Sequence, residues 1–273
     1  MDKIEITKND LEKLKIIGKG TEGTIYQYSN DELLKIYHSS SDYMQVNIRN
    51  IIVDEDGVNI TPVKNVTNTG VKERAIQYFD AEGVRLAREE SIIKAIELQK
   101  DIHLTRLPQK PIYLDGKIRG CSLHYHKPAI NIYDVMNIPI YKWRLKIVKE
   151  ILKEVKELTD HNVYHIDLCQ HPTKESKNTN ILLTRNFHPE IIDIDGHSAI
   201  YSAKPNENYQ RLTDFSLSVL VIELLSREYI DSFLDNPDDV DLYELVGGKI
   251  PEVLIDDFLN ETLTLEKINK HLS

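Results

Sequence analysis

The stretch from 164 to 196 constrains this chain more than any other. It reads Tyr-His-Ile-Asp-Leu at 164–168, a polar run, Asn-Ile-Leu-Leu at 180–183, a turn, and Ile-Ile-Asp-Ile-Asp-Gly at 191–196. Short apolar pieces of this length read as strands, and the turn falls at 186–189, between an Asn and a Pro. Asp167 follows the first strand, Asn180 opens the second and Asp193 closes the third. Antiparallel strands of this kind gather an Asp, an Asn and an Asp around one point. Such an oxygen-rich cluster suits Mg²⁺ and a phosphate chain, with the first Asp left to orient a hydroxyl.

A phosphate site needs a partner elsewhere, and residues 16–26 offer one. They read Ile-Ile-Gly-Lys-Gly-Thr-Glu-Gly-Thr-Ile-Tyr, with Gly18, Gly20 and Gly23 as G-x-G-x-x-G. In a dinucleotide-binding fold this loop opens a helix. Here an alternating strand follows instead, then a turn at 29–31, then a second strand over 32–37 carrying Lys35. No Lys-Ser or Lys-Thr follows Gly23, so it is not a Walker loop either. Glycines let a backbone approach phosphates, and Lys35 is placed to meet them.

Charge and length narrow the class. At 273 residues the chain can bury a sizeable core. Its formal net charge of −10 leaves no broad basic face, which excludes non-specific nucleic-acid binding. No apolar run approaches membrane-spanning length, and the N-terminus lacks an apolar signal segment. The only cysteines, Cys121 and Cys169, offer no disulfide framework. A cytoplasmic setting without membrane contact is the expectation.

The rest of the chain is punctuated simply. Residues 1–15 suggest a short helix feeding a strand, and 39–80 are turn-rich. A helical stripe over 71–100 carries Val84, Leu86, Ile92, Ile93 and Ile96. Glu89 precedes apolar residues at +3, +4 and +7 and faces inward with them; Glu90 is the alternative. Residues 111–126 form a hairpin turning at Asp115-Gly116, and Lys127-Pro128 breaks it. A long amphipathic helix covers 143–158, and a second, more apolar helix covers 213–225. The acidic remainder ends in short helical pieces.

In this order the motifs resemble the protein kinase family, in an atypical, bacterial-type Ser/Thr form. The resemblance covers about 16–225, with 39–80 unmatched, and implies an α+β, two-lobed fold. A small β-rich lobe would span 1–127, with 39–80 inserted, and a short, mainly helical lobe 128–273. It implies that ATP and Mg²⁺ are bound and that a phosphoryl group passes to a hydroxyl of a protein or small molecule. Asp167 would be the catalytic base, Lys35 would hold the α- and β-phosphates, and Glu89 would pair with Lys35. Asn180 and Asp193 would hold the metal, with Asp195 sharing or taking over that role. Gly18, Gly20 and Gly23 would roof the phosphates. Ile17, Ile25, Leu182 and Ile192 would wall the nucleotide, and backbone groups at 123–127 would meet the adenine edge. Asp214 would brace the catalytic loop.

The chain departs from the family pattern at six points. Thirteen residues, not five, separate Asp167 from Asn180, an insertion at 169–177. Ile166 and Cys169 stand where the family has Arg and Lys, and Asp193-Ile194-Asp195 replaces Asp-Phe-Gly. Leu33 replaces a small residue above the adenine. No Ala-Pro-Glu lies between Asp193 and Asp214. These departures keep two other readings open, a pseudokinase that senses nucleotide and a small-molecule kinase. His161, His165, Cys169 and His171 also lie close enough to suggest zinc, but their spacing fits no closed structural site.

Overall fold

The computed structural model describes residues 2–20, 23–38, 51–54, 57–60, 88–127, 129–169, 179–195, 198–202 and 204–273, with the backbone alone at 51–54, 57–60, 88–90 and 186. The fold is α+β, with a sheet first and helices after it. Strand β1 (Ile4–Ile6) leads into the one-turn helix α1 (Lys8–Leu11). Thr7 and Asp10 close a capping box, each side chain accepting from the other's amide at 3.2 Å. Residues 1–15 thus contain a strand as well as the expected helix.

Strands β2 (Lys15–Lys19), β3 (Gly23–Gln27) and β4 (Glu32–Tyr37) follow as antiparallel neighbours. A separate hairpin pairs β5 (Ile51–Asp54) with β6 (Gly57–Ile60). Of the helical stripe expected over 71–100, helix α2 (Arg88–Leu98) is described. Strands β7 (Pro111–Leu114) and β8 (Lys117–His124) complete a six-stranded sheet in the order β1-β7-β8-β4-β3-β2. They turn at Asp115 and Gly116, both at positive φ (54° and 77°), as a two-residue hairpin loop requires.

Period-two alternation sorts β4 into two faces. Leu34 and Ile36 pack with Ile4, Ile6, Leu11 and Ile112 in a small core on one side. Leu33, Lys35 and Tyr37 therefore face the other side, where Tyr37 meets Ile92 of α2 and Cys121 of β8. Strand β8 crosses β4 so closely at this point that a Cβ on Gly120 would lie 2.0 Å from the Lys35 carbonyl oxygen.

The larger core belongs to the second half. Strand β9 (Ile130–Asn131) is followed by a 3₁₀ helix (Ile132–Asn137) and by α3 (Tyr141–Asp160). Strands β10 (Val163–His165), β11 (Ile181–Leu183), β12 (Pro189–Ile191) and β13 (Ala199–Tyr201) come next, then α4 (Glu207–Ser226). Four short helices end the chain: α5 (Asp231–Asp235), α6 (Leu242–Val246), α7 (Glu252–Leu259) and α8 (Leu265–His271). Val148, Ile151, Leu152 and Val155 of α3 share one core with Leu217, Leu220, Val221 and Leu224 of α4. Helix α4 is buried nearly all round, which explains its continuous apolar sequence. Ala95, Leu98, Ile102 and Leu107 join this core too, so the apolar contacts do not divide at 127.

The strands of 164–196 pair differently from one simple meander. β11 sits between β12 and β9, while β10 pairs with β13. Helix α3 fixes β12 through buried Glu154, whose Oε2 accepts from Ile191 N and Thr105 Oγ1 at 3.2 Å. Among the described residues no helix is long and apolar enough to cross a membrane.

Two stability outcomes follow from this packing. Gly120→Ala forces β8 away from β4 and lowers unfolding stability by about 1–3 kcal/mol, read by denaturant melts. Burial pushes the Glu154 carboxyl up to about 9, so the fold favours its protonated form. That contribution is complete below the ordinary value of 4.5 and is lost as pH rises towards about 9. Stability therefore falls by up to about 1.4 kcal/mol per pH unit across that window. Glu154→Gln, permanently neutral, flattens the slope in melts at stepped pH.

Candidate functional site

Lys35 leaves the sheet on the face opposite the small core and reaches residues about 160 positions later. Ile25 of β3 and Cys121 of β8 are its register partners on either side. Its ammonium, in a residue only 6% exposed, hydrogen-bonds the Asp193 carboxylate. It also lies 3.0 and 2.9 Å from the two oxygens of Asp195. A buried ammonium requires this company, because desolvation without an anion is costly.

The two carboxylates differ in setting. Asp193 lies just past β12 at φ 61°, a left-handed conformation that Asp tolerates better than most residues. Its side chain is 21% exposed and accepts from Ser198 Oγ at 2.6 Å. Burial opposes its ionisation, but Lys35 and the Ser198 hydroxyl outweigh it and hold the carboxyl well below its usual range. The Asp195 side chain is 1% exposed. Its Oδ2 accepts from Cys121 Sγ at 3.7 Å, and its carbonyl accepts from Tyr37 OH at 3.1 Å. Burial pushes this carboxyl up, against the pull of Lys35. Between the two, Ile194 anchors in the core and its carbonyl accepts from Tyr201 OH.

Asn180 and Asp167 complete the group. Asn180 Nδ2 donates to the Asp167 carbonyl at 2.6 Å and to Asp167 Oδ2 at 3.3 Å. Asn180 Nδ2 lies 3.5 Å from Ser198 Oγ, which joins it to the Asp193 side of the site. Cys169 and Thr179 form an antiparallel bridge, so the chain returns to Asp167 despite the inserted residues. His165 is buried and neutral, its value lowered by desolvation. Its Nε2–H donates to the Ile192 carbonyl at 3.0 Å and its Nδ1 accepts from Asp167 N at 3.4 Å, an assignment fixed by these partners. The loop carrying Asp167 is thereby tied to the residue before Asp193.

The expected nucleotide walls are partly open. Ile17 is exposed, and Ile25, Leu182 and Ile192 are half-buried. Leu182 alternates with Ile181 and Leu183, which are in the core, so it points away from it. Of the three loop glycines, Gly23 is required by the fold, since a Cβ there would lie 2.6 Å from Ile36 O. Gly18 and Gly20 have no such neighbour and no positive φ. Glu89 lies in the first turn of α2, but its side chain is outside those described, as is Pro128.

Sequence reasoning misplaced one residue and missed several. Among the described residues Asp214 does not brace the loop after Asp167: its Oδ1 accepts from Leu265 N at 3.1 Å and Gln210 Nε2 at 3.0 Å. Two residues further along the helix, Ser216 takes that task, its Oγ accepting from Leu168 N at 2.8 Å and Cys169 N at 3.2 Å. Ser198, Tyr37 and Tyr201 carried no motif signal. The zinc alternative loses its side chains to other partners. His161 bonds the Glu157 carbonyl, Cys169 Sγ donates to Ser216 O, and His165 is engaged as above. His171 lies outside the described residues.

Two carboxylates meet the one lysine, and Asp167 stands with Asn180 beside them. Among the described residues no three His, Cys, Asp or Glu side chains are poised to hold a metal ion. One carboxylate and one amide do fit Mg²⁺, which takes few protein ligands and completes its shell with water and phosphate oxygens. A separate pocket lined by Phe215, Phe233, Phe258 and Leu263 includes Asp214 but none of the residues expected to hold nucleotide, metal or the acceptor hydroxyl. No protein-family model and no curated protein matches this chain.

Ser216→Ala leaves two buried amides without an acceptor and should cost about 1–3 kcal/mol in a thermal melt. Asp214→Asn, which touches no loop amide, leaves hydrogen exchange at Leu168 and Cys169 unchanged, whereas Ser216→Ala accelerates it.

Proposed function

We propose that this chain is an ATP-dependent phosphotransferase of the protein kinase type, passing the γ-phosphoryl group to a hydroxyl. The two-lobed division near 127–128 belongs to the same reading. One observation carries it: Lys35 from the glycine-loop sheet meets Asp193 in the segment that also holds Asn180 and Asp167. A scaffold needs no such convergence of one cation, two acids and an amide from four separate elements. Gly18 and Gly20, which no packing contact requires, are accounted for by phosphates approaching the loop.

Residue roles follow from chemistry. Asp167, half-buried and held by Asn180 and His165, accepts the proton of the acceptor hydroxyl and orients it. Lys35 leaves Asp193 to hold the α- and β-phosphates. Asn180 and Asp193 hold Mg²⁺, which when bound neutralises phosphate charge. Ile25, Leu182, Ile192 and Ile17 cover the nucleotide base. Glu89 remains the proposed helix partner of Lys35.

The acceptor we assign is a Ser or Thr hydroxyl of a protein. A small-molecule hydroxyl is the second reading, and one observation favours it. Strand β13 folds back onto β10, and Ser202 N donates to Asn162 O at 3.0 Å, so the segment between Asp193 and α4 is tied down early. That leaves little platform for a peptide.

Transfer from γ-labelled ATP with Mg²⁺ tests the function. Asp167→Asn is expected to lose transfer by about 10²–10⁴-fold while keeping nucleotide binding, and Asp193→Asn to lose both Mg²⁺ dependence and transfer. Wild-type turnover in Asp167→Asn would remove the assigned base. A Mg²⁺-dependent thermal shift with ATP but no transfer to any protein or small hydroxyl compound would indicate a nucleotide sensor instead.

A further inference from the structure

We propose that Asp195 is a positioning residue for Lys35 and not a metal ligand, so that the two carboxylates of Asp193-Ile194-Asp195 divide two tasks between them. The inference rests on the phosphotransferase reading and specifies how its lysine is held.

Access separates the two acids first. Asp193 is one-fifth exposed, whereas the Asp195 side chain is 1% exposed, beneath the sheet. A cation carrying water and phosphate oxygens cannot reach a carboxylate with no open side. Their partners separate them next, for Asp193 gives one oxygen to Lys35 and the other to the Ser198 hydroxyl. Both Asp195 oxygens lie within 3.0 Å of Lys35 Nζ, and Oδ2 also accepts from Cys121 Sγ. Its main chain is fixed by Tyr37 OH at its own carbonyl and by Tyr201 OH at the preceding one. Tyr37 further confines the ammonium, which lies 5.5 Å from its ring centroid. Moving Asp195 towards a cation would break all of these contacts and strand Lys35.

Direction separates them last. Strand alternation does not operate here, because Asp193 stands at positive φ and Ile194 plugs into the core. The kink turns Asp193 towards Ser198 and the Asn180 side, while Asp195 stays under β4 and β8. Lys35 can therefore leave Asp193 when phosphates arrive and still keep a buried counter-charge. Neither acid alone supplies both conditions.

Calorimetry with Mg²⁺ and a non-hydrolysable ATP analogue tests this without requiring turnover. Asp193→Asn should raise the Mg²⁺ concentration needed for binding by roughly 10–100-fold, as loss of a ligand does. Asp195→Asn should leave that Mg²⁺ midpoint within about twofold and weaken the analogue by on the order of tenfold, as Lys35→Met does. The double variant Lys35→Met/Asp195→Asn should bind no more weakly than Lys35→Met alone, since Asp195 acts only through the lysine. Asp195→Glu should restore part of the affinity. A Mg²⁺ midpoint shifted by Asp195→Asn as far as by Asp193→Asn would overturn the division, and so would additive losses in the double variant. If Asp195→Asn does not fold, the charge-neutral double variant carries the comparison of midpoints. Absence of any analogue binding by wild type would sink the phosphotransferase reading and this inference together, an outcome distinct from the failure of Asp195 alone.

Discussion

A lysine ammonium cannot sit under a β-sheet without anions, and that constraint shapes this molecule. Lys35 lies on the inner face of β4, between strands that approach within the reach of a single missing Cβ at Gly120. Its two carboxylates come from a segment about 160 residues away. Removing one partner of such a buried pair typically costs about 3–5 kcal/mol, more than the pair contributes over an apolar substitute. The contact is therefore better understood as a specification than as a glue. It fixes which face of the sheet meets which strand end, and the hydroxyls of Tyr37, Ser198 and Tyr201 then have fixed acceptors to meet.

Around that contact the site is held mainly by backbone groups. His165 donates to one strand's carbonyl and accepts from one loop amide, so a neutral imidazole measures the distance between them. Ile192 N bonds the Asn180 carbonyl at 2.8 Å, and Ile166 N bonds the Ser198 carbonyl at 2.9 Å. Each potential phosphate- or cation-binding side chain thus sits one or two residues from a main-chain hydrogen bond. Such second-layer bonds keep side chains in place within the tolerance that a preorganised site demands.

Much of this could be read from the residues, and the reasons for the remainder are physical. The Asp115-Gly116 turn, the strand bearing Lys35 and the helix over 143–158 follow local rules of φ, alternation and periodicity. The meeting of Asp167, Asn180 and Asp193 was legible from their apolar flanks. Ser216 was not, because a serine in an apolar helix gives no sign of whether its hydroxyl faces a neighbouring loop. Asp214 attracted the bracing role by its charge, yet helix α8 supplied it with an amide at Leu265 instead. The pairing of β10 with β13 was hidden by the short length of both strands. The use of Asp195 depended on burial, which two acids separated by one residue cannot reveal. The inward-facing expectation for Glu89 falls on a side chain outside those described.

The Cys169–Thr179 bridge has a consequence for how such a site can change over time. Loop closure entropy rises only with the logarithm of length, so a pinned base makes added residues cheap to accommodate. The geometry around Asp167 and Asn180 is in this way set by the base of the loop rather than by the number of residues it encloses.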